Sequence, residues 1–197
     1  MHTNFMASSR CIVISGPSGV GKGTLIQRLY SDFPELVLSI SATTRAKRPS
    51  EIDGVHYYFK SEAAFDDLIA ADAFFEWCHV HDHRYGTLKA PILDALTAGR
   101  WPLVEIDTQG FQKIKRQCPT LSIFIAPPSI QVLYDRLHQR HTESEASIQA
   151  RLAIAKQELT SQSDYDYRIT NDQLTASYDL LRTILNQEIY ETHKCHI

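Results

Sequence analysis

Short apolar runs alternate with longer amphipathic stretches along the chain. The runs at 11–15, 103–106 and 121–126 are rich in β-branched and aliphatic residues, which is typical of buried parallel strands. Each run is followed by apolar positions at helical spacing. This alternation predicts an α/β fold in which a parallel sheet core is flanked by helices.

The same patterns give approximate bounds for the other elements. Ser61 has the residue type and position of a helix N-cap, so we expect a helix to begin directly after it. Further strands are predicted at 37–41 and 167–170, and helices at 21–30, 61–71, 91–98, 129–160 (with a break near 141–144) and 174–190.

Composition narrows the class of protein. The chain has 197 residues, of which 43% are hydrophobic and 22% charged, as expected for one globular domain. A formal net charge of −3 argues against a general affinity for nucleic acid or anionic membrane, so anion binding must come from local basic groups. The four scattered cysteines favour neither a disulfide scaffold nor a zinc ribbon. With no signal-peptide pattern and no long apolar run, a cytoplasmic location is expected.

A glycine-rich segment follows the first predicted strand. Residues 16–24 read GPSGVGKGT, in which Gly16, Gly21 and Lys22 have the spacing of a phosphate-binding loop. Such a loop points successive backbone N–H groups at phosphate oxygens, while the lysine adds a mobile positive charge. The alternative is a glycine-rich turn that happens to carry a lysine. The loop predicts binding of ATP by Gly16, Pro17, Ser18, Gly19, Val20, Gly21, Lys22, Gly23 and Thr24.

One position of this loop departs from the commonest pattern. Gly23 stands where a serine or threonine usually offers a hydroxyl to Mg²⁺, and Thr24 follows it. No direct protein ligand for the metal is therefore assigned. We expect Mg²⁺ to bind near Thr24 and Asp107, in part through water, because this ion dehydrates reluctantly.

Two arginines follow closely in a polar, basic segment. Arg45 and Arg48 lie in the run 41–48, SATTRAKR, and the run 51–59, EIDGVHYYF, brings in Tyr57. Two guanidinium groups so close together are suited to grip one phosphate. Taken alone, the pair could equally be a solvated basic turn. The two runs closely resemble the acceptor-binding segment of guanylate kinase, and the resemblance extends over nearly the whole chain.

Further motifs carry this resemblance. Phe75-Glu76-Trp77 and 84–87, RYGT, are similar to the F-x-E and Y-Y-G-[ST] elements of the family, with Arg84 in place of the first tyrosine. The strand 104–110, VEIDTQG, is similar to D-[IV]-D-x-Q-G, with Glu105 replacing the first aspartate. The resemblance implies GMP binding by Ser41, Arg45, Arg48, Tyr57, Glu76, Tyr85, Thr87 and Asp107.

The chemistry of guanine agrees with a carboxylate at position 76. Guanine presents N1–H and N2–H₂ side by side, and one carboxylate accepts from both. Adenine would instead place a lone pair against the same buried charge. A site built in this way discriminates strongly between the two bases. The alternative is that Glu76 is simply an exposed strand residue.

A later charged stretch resembles the lid of the same family. The run 136–145, RLHQRHTESE, followed by Arg151, is similar to the family pattern R-L-x-x-R-x-T-E-[ST]-E…R-L. Arginines on a mobile segment can close over a triphosphate and neutralise charge on the transferred group. The resemblance implies catalytic roles for Lys22, Arg45, Arg140 and Arg151, and ATP contacts from Arg136 and Asn171. Without it, the stretch would be interpreted as an ordinary charged helix.

The resemblance implies an ATP-dependent nucleoside monophosphate kinase that transfers phosphate from ATP to GMP and dGMP. The expected architecture is a single domain, a P-loop kinase with a core at about 10–40, 91–135 and 158–197, a small GMP-binding insert at about 41–90 and a mobile lid at about 136–157. Neither nucleic acid nor membrane is an expected partner, and the protein is expected to be a monomer or a homodimer. Two alternatives remain, a non-catalytic guanylate-kinase-like interaction module and a related ribose-bisphosphate kinase.

The histidine run at 79–83 is a weaker signal. Alternating histidines on a strand could hold zinc. His79, His81 and His83 fall, however, in what the resemblance implies is a base-reading loop between Glu76 and Tyr85. We therefore assign no metal site to them.

Overall fold

The computed structural model describes residues 9–80, 82–139 and 144–191. The strands are β1 (Cys11–Ser15), β2 (Leu36–Leu38), β3 (Ala42–Thr43), β4 (Tyr58–Phe59), β5 (Phe74–Val80), β6 (His83–Leu88), β7 (Trp101–Glu105), β8 (Thr120–Ala126) and β9 (Tyr167–Thr170). The helices are α1 (Lys22–Asp32), α2 (Glu62–Ala70), α3 (Lys89–Thr97), α4 (Thr108–Lys115), α5 (Ile130–His138), α6 (Glu145–Thr160) and α7 (Leu174–Asn186). A 3₁₀ turn spans Gln162–Asp164, and a π-helical turn spans Gln187–Glu191.

The larger sheet has, within the described residues, five strands in the order β2-β7-β1-β8-β9. The pairs β2–β7 and β8–β9 are parallel, with Val37 beside Pro102 and Ile125 beside Ile169. All of β1 is buried, and so is β8 beyond its first residue, which explains why both read as continuous apolar runs. The predicted α/β class, with a parallel sheet flanked by helices, is confirmed.

The smaller sheet, as far as the described residues show, has four strands in the order β4-β3-β6-β5. Strands β5 and β6 are antiparallel, and Glu76 lies opposite Thr87 in their register. The segment that the sequence suggested was a base-reading loop is therefore a pair of strands. The antiparallel pairing fixes the positions of these side chains more tightly than a loop would.

The chain divides into two compact units. The first comprises Met1–Cys11, Glu35–Val104 and Gln109–Thr120, and the second comprises Ile12–Pro34, Glu105–Thr108 and Leu121–Ile197. In the first unit, buried Ala42, Phe65 and Phe74 join the small sheet to α2. In the second, α5 packs against α6 through a cluster of Leu133, Leu137, Ile148, Leu152 and Ala155.

Most predicted elements are present with small changes in their bounds. Strand β9 has the predicted limits, and the Ser61 hydroxyl caps α2 by accepting the backbone N–H of Ala64. Strand β2 ends at Leu38, earlier than predicted. Helix α3 begins at Lys89, two residues before Pro91. The helix tolerates this proline because the N–H that it lacks would have no intrahelical partner in the first turn.

Candidate active site

The glycine-rich loop connects β1 to α1 in the second unit. Gly16 has φ of +141°, and a Cβ there would lie 2.1 Å from the carbonyl oxygen of Ile125. Only glycine, which has no Cβ, can lie so close to β8. Gly21 is the N-cap of α1 in a left-handed conformation, so the first backbone N–H groups of the helix follow directly. The predicted loop thus lies at a helix N-terminus, where anions bind.

Lys22 folds back over its own loop. Its Nζ donates to the carbonyl oxygens of Gly16 at 2.6 Å and Pro17 at 3.2 Å, and lies 3.7 Å from Oε1 of Glu105. Burial lowers the pKa of Lys22 below its ordinary value of 10.5, while the charges of Glu105, Glu158 and Asp107 act in the opposite direction. Three carboxylates therefore help to keep this buried ammonium charged.

The residues near Gly23 suit a magnesium ion. A Cβ at Gly23 would lie 4.0 Å from Oε2 of Glu105, so this carboxylate approaches the place where a larger side chain would stand. Thr24 is exposed at the start of α1, and Asp107 is electrostatically coupled to Lys22. Hydroxyl and carboxylate oxygens are the ligands that Mg²⁺ prefers, and it commonly keeps several waters. Among the described residues no group of three or more His, Cys, Asp or Glu forms a metal cage. The donor set fits a hydrated Mg²⁺ held by few protein groups.

Arginines and an asparagine approach the loop from later elements of the second unit. Arg151, on α6, donates to the Ser18 hydroxyl at 3.2 Å. Arg136, on α5, donates to the carbonyl oxygen of Asn171 at 2.9 Å. The buried Asn171 side chain donates to the carbonyl oxygen of Val20 at 2.7 Å, so it binds the backbone of the phosphate loop. Arg140 lies outside the described residues.

Three of the acceptor residues predicted from the insert, Glu76, Tyr85 and Thr87, share one face of the small sheet in the first unit. Side chains alternate along a strand, so Tyr85 and Thr87 on β6 point to the same side. Their partners across the ladders are Thr43 and Glu76, which therefore face the same way. Gly86, between them, faces α2, and a Cβ there would lie 2.7 Å from the Phe74 ring. The glycine of the RYGT motif is required for this close packing.

Arg45 lies at the end of this face and is already paired. Its guanidinium forks onto the Glu51 carboxylate at 2.7 and 3.0 Å, and it lies 5.5 Å from the centre of the Tyr57 ring. The Glu51 carboxylate also accepts the backbone N–H of Arg48 at 2.8 Å. The Arg45 side chain, followed by the Arg48 backbone, lowers the pKa of Glu51 to about 2. Glu51 first, and Tyr85 to a smaller extent, raise the pKa of Arg45 above its ordinary value.

Glu76 and Thr87 form the base-facing pair. The Thr87 hydroxyl donates to Oε1 of Glu76 at 2.8 Å across the β5–β6 ladder, and Thr87 is buried. This hydrogen bond orients the carboxylate on the face that also carries Tyr85. Ser41 lies just before β3, and its carbonyl oxygen accepts the backbone N–H of Tyr58 at 2.9 Å.

The sequence assigned no role to two residues of these clusters. Glu158 carried no signal, because it comes from α6 and its effect on Lys22 depends on the fold. Glu51 lies in the run 51–59 that carries the resemblance, but its pairing with Arg45 is visible only in the structure. In the histidine run, His79 packs its ring against Trp77 at 5.8 Å, and His81 lies outside the described residues.

Comparison with known proteins identifies the family. A model of the family described as guanylate kinase matches residues 8–188. The guanylate kinase of Carboxydothermus hydrogenoformans is 44% identical over 93% of this chain and 90% of its own length. That of Desulfitobacterium hafniense is 43% identical over 94% of this chain and 91% of its own length.

Solved structures agree with this assignment. The crystal structure of guanylate kinase from Anaplasma phagocytophilum has a TM-score of 0.71 and is 30% identical, covering 93% of this chain and 88% of its own. A shikimate kinase from Bacteroides thetaiotaomicron, only 13% identical with a TM-score of 0.51 over 90% of this chain and 98% of its own, is similar in fold alone. The phosphate loop, the small sheet and these relatives together show that the chain belongs to the guanylate kinase family.

Proposed function

We propose that this protein transfers the γ-phosphate of ATP to GMP, and to dGMP, giving ADP and GDP. The observation that carries the proposal is the Glu76 carboxylate, oriented by Thr87 on the same sheet face as Tyr85. A non-catalytic interaction module would need neither this pair nor Lys22. A ribose-bisphosphate kinase would not need a base-reading carboxylate.

The proposed acceptor site reads the base through Glu76 and Thr87. The carboxylate accepts N1–H and N2–H₂ of guanine, and Thr87 both orients it and contacts the base edge. An adenine in the same place would leave the half-buried Glu76 carboxylate opposite a lone pair, which costs several kcal/mol once the base covers it. Selection for guanine therefore follows from the hydrogen-bonding pattern of the base.

The proposed acceptor phosphate lies with Arg45, Arg48, Tyr57 and Tyr85, near Ser41. Arg45 and Arg48 supply charge, and the tyrosines supply neutral hydroxyl donors. Glu51 binds the Arg45 guanidinium as a fork, which is the geometry in which a guanidinium also binds a phosphate, and so helps to fix the orientation of Arg45.

The proposed donor site is the loop from Gly16 to Thr24. Backbone N–H groups cradle the triphosphate, Lys22 exchanges its carbonyl partners for phosphate oxygens, and Arg151 moves from Ser18 to the phosphates. Arg136 and Arg140 would add charge from the lid, and Asn171 would contact the adenosine side. Thr24 and Asp107 would hold Mg²⁺, partly through water, and the bound ion supplies positive charge to the phosphate oxygens.

Catalysis in this proposal depends on position and charge. The attacking oxygen belongs to a phosphate that is already anionic, so no strong general base is needed. Charge on the transferred group is neutralised by Lys22, Arg45, Arg140 and Arg151, and closure of the lid at about 136–157 excludes water.

In this proposal the core, insert and lid predicted above belong to a single domain, and the protein acts in the cytoplasm as a monomer or a homodimer. Among the described residues, no helix has the length and apolar character needed to cross a bilayer.

A substrate panel tests the proposal. We expect ADP formation from ATP and Mg²⁺ with GMP, and rates lower by about 10⁴ with AMP, CMP, UMP or a sugar phosphate. Absence of turnover with GMP, while the protein binds ATP, would favour the interaction module. Preference for the sugar phosphate would favour the ribose-bisphosphate kinase.

A further inference from the structure

Strand β6 has a second face, which points away from the proposed acceptor site. Arg84, Gly86 and Leu88 alternate with the site residues, so they face helix α2. Arg84 is only 8% exposed. A buried arginine beside a binding face has to be explained by its contacts.

The Arg84 guanidinium binds helix α2 at several points. It donates to Oδ1 of Asp66 at 2.5 Å, to the carbonyl oxygen of Glu62 at 2.9 Å, and to the Glu62 carboxylate. It also lies over the fully buried ring of Phe65, 4.8 Å from its centre. A planar guanidinium can pair and stack at once, which neither tyrosine nor lysine can reproduce.

The backbone of Arg84 binds the segment that leads to Arg45. Its N–H donates to the Thr44 hydroxyl at 3.0 Å, and its carbonyl oxygen accepts the Thr44 N–H at 3.0 Å. Thr44 also lowers the pKa of Glu62, one of the two carboxylates that Arg84 binds on α2. We call Arg84, together with its partners Thr44, Glu62 and Asp66, the Arg84 clamp.

The Arg84 clamp lies directly behind two proposed phosphate-binding side chains. Thr44 precedes Arg45 in the chain, and Arg84 precedes Tyr85. Tyr57 contacts both groups: the Tyr85 ring packs edge-on against it at 5.8 Å, and the Arg45 guanidinium lies 5.5 Å from the centre of its ring. A shift of β6 or of Thr44 would therefore move both phosphate-binding groups.

Stability alone is a poor explanation for this arginine. Its Nε is buried without a hydrogen-bond partner among the described residues, and both carboxylates that it binds are largely exposed. Buried ion pairs often add little net stability compared with a well-packed apolar residue, and some fix one geometry instead. The contacts of Arg84 fix the geometry of the acceptor face.

We propose that Arg84 is a positioning residue for the acceptor phosphate, acting through Thr44 and β6 on Arg45 and Tyr85. The proposal rests on GMP being the acceptor.

The test compares Arg84→Met and Arg84→Tyr with a matched control. Lys89→Met removes a cation whose ion pair with Asp72, at 2.7 Å, lies in the same unit but does not touch Thr44, Arg45 or Tyr85 in the described contacts. We expect both Arg84 variants to raise KM for GMP about 10-fold or more, because small displacements at a binding site are costly, and to leave KM for ATP within about 2-fold. Lys89→Met should leave both KM values within about 2-fold.

A second pair of variants covers the possibility that the Arg84 variants do not fold. Asp66→Asn keeps the arginine and weakens one side of the clamp, so it should raise KM for GMP by about 3-fold, and Arg84→Lys should be intermediate. Equal changes in both KM values, or a lower midpoint of unfolding with KM for GMP unchanged, would overturn the positioning role. Failure of the wild-type protein to phosphorylate GMP would overturn the proposed function instead.

Discussion

Glu76 is the side chain on which substrate choice depends. Glu76→Gln keeps the shape of the side chain and replaces one accepting oxygen by an amide N–H₂, which would face a guanine donor. We expect kcat/KM for GMP to fall by about 10³ or more, because a buried donor is left without an acceptor. The affinity for an ATP analogue, measured by calorimetry, should change by less than about 2-fold, since Glu76 belongs to the acceptor face.

The control for this variant removes a carboxylate elsewhere. Asp179 pairs at 3.7 Å with Arg182 on the exposed side of α7, and Asp179→Asn should leave both measurements unchanged. Equal losses of GMP turnover and ATP affinity in Glu76→Gln would mean that the base is read by another residue.

The packing of β6 against its neighbours depends on the absence of a side chain at Gly86. In Gly86→Ala the new Cβ would lie 2.7 Å from the Phe74 ring and 3.0 Å from Cβ of Trp77, so the strands must separate or Phe74 must move. We expect a loss of about 1–3 kcal/mol in the free energy of unfolding, together with weaker GMP binding. Urea denaturation and GMP titration measure the two effects.

Gly99→Ala provides the comparison for that variant. Gly99 has a positive φ of +69°, but a Cβ there would meet nothing within 4 Å. The expected loss is about 1 kcal/mol from backbone strain alone, with GMP binding unchanged. The idea is wrong if Gly86→Ala loses no more free energy of unfolding than Gly99→Ala and binds GMP normally. Close packing of β6 would then not require a glycine at position 86.

Elements with a strong local signal were predictable from the sequence. The buried run of β1, the Ser61 cap and strand β9 depend on residues adjacent in the chain, and the structure confirms them. The β5–β6 strand pair was missed because FFEWCHV alternates imperfectly and the connection at 81–82 contains neither Gly nor Pro. Pairing with β3, a non-local interaction, completes this part of the sheet.

In the candidate site, too, residues in a contiguous motif could be predicted from the sequence, and residues that depend on tertiary contacts could not. Lys22 and the glycines could be identified because a contiguous motif carries them. Arg84 could not be interpreted, because its partners Glu62 and Asp66 come from an earlier helix and its burial depends on Phe65. Residues that support a binding group through tertiary contacts leave no fixed spacing in the sequence.

Across the whole molecule, carboxylates with shifted pKa values make stability depend on pH in opposite directions. Arg45 holds the pKa of Glu51 at about 2, below the ordinary 4.5, and a Thr44 hydrogen bond followed by Arg84 lowers the pKa of Glu62. Between about pH 4.5 and about pH 2 the unfolded chain binds more protons at Glu51 than the folded chain does, so the contribution of Glu51 to stability is lost on acidification, and Glu62 acts in the same direction. Burial instead raises the pKa of Glu158, whose contribution is present at low pH and is lost as pH rises through its folded pKa.

Glu51→Gln tests the contribution of Glu51 to stability separately from that of Glu158. At about pH 7 the variant should be less stable than the wild type, because Arg45 loses its charged partner; at about pH 3 the difference should shrink, because the wild-type contribution is then partly lost. Urea denaturation at both pH values measures the free energy of unfolding, with Asp179→Asn as the control for removing one surface carboxylate. A constant difference between wild type and Glu51→Gln at the two pH values would show that the Glu51 proton is not linked to folding. A shrinking difference, with GMP binding weakened in the same variant, would link the acid stability of the molecule to the ion pair that presents Arg45 to the acceptor phosphate.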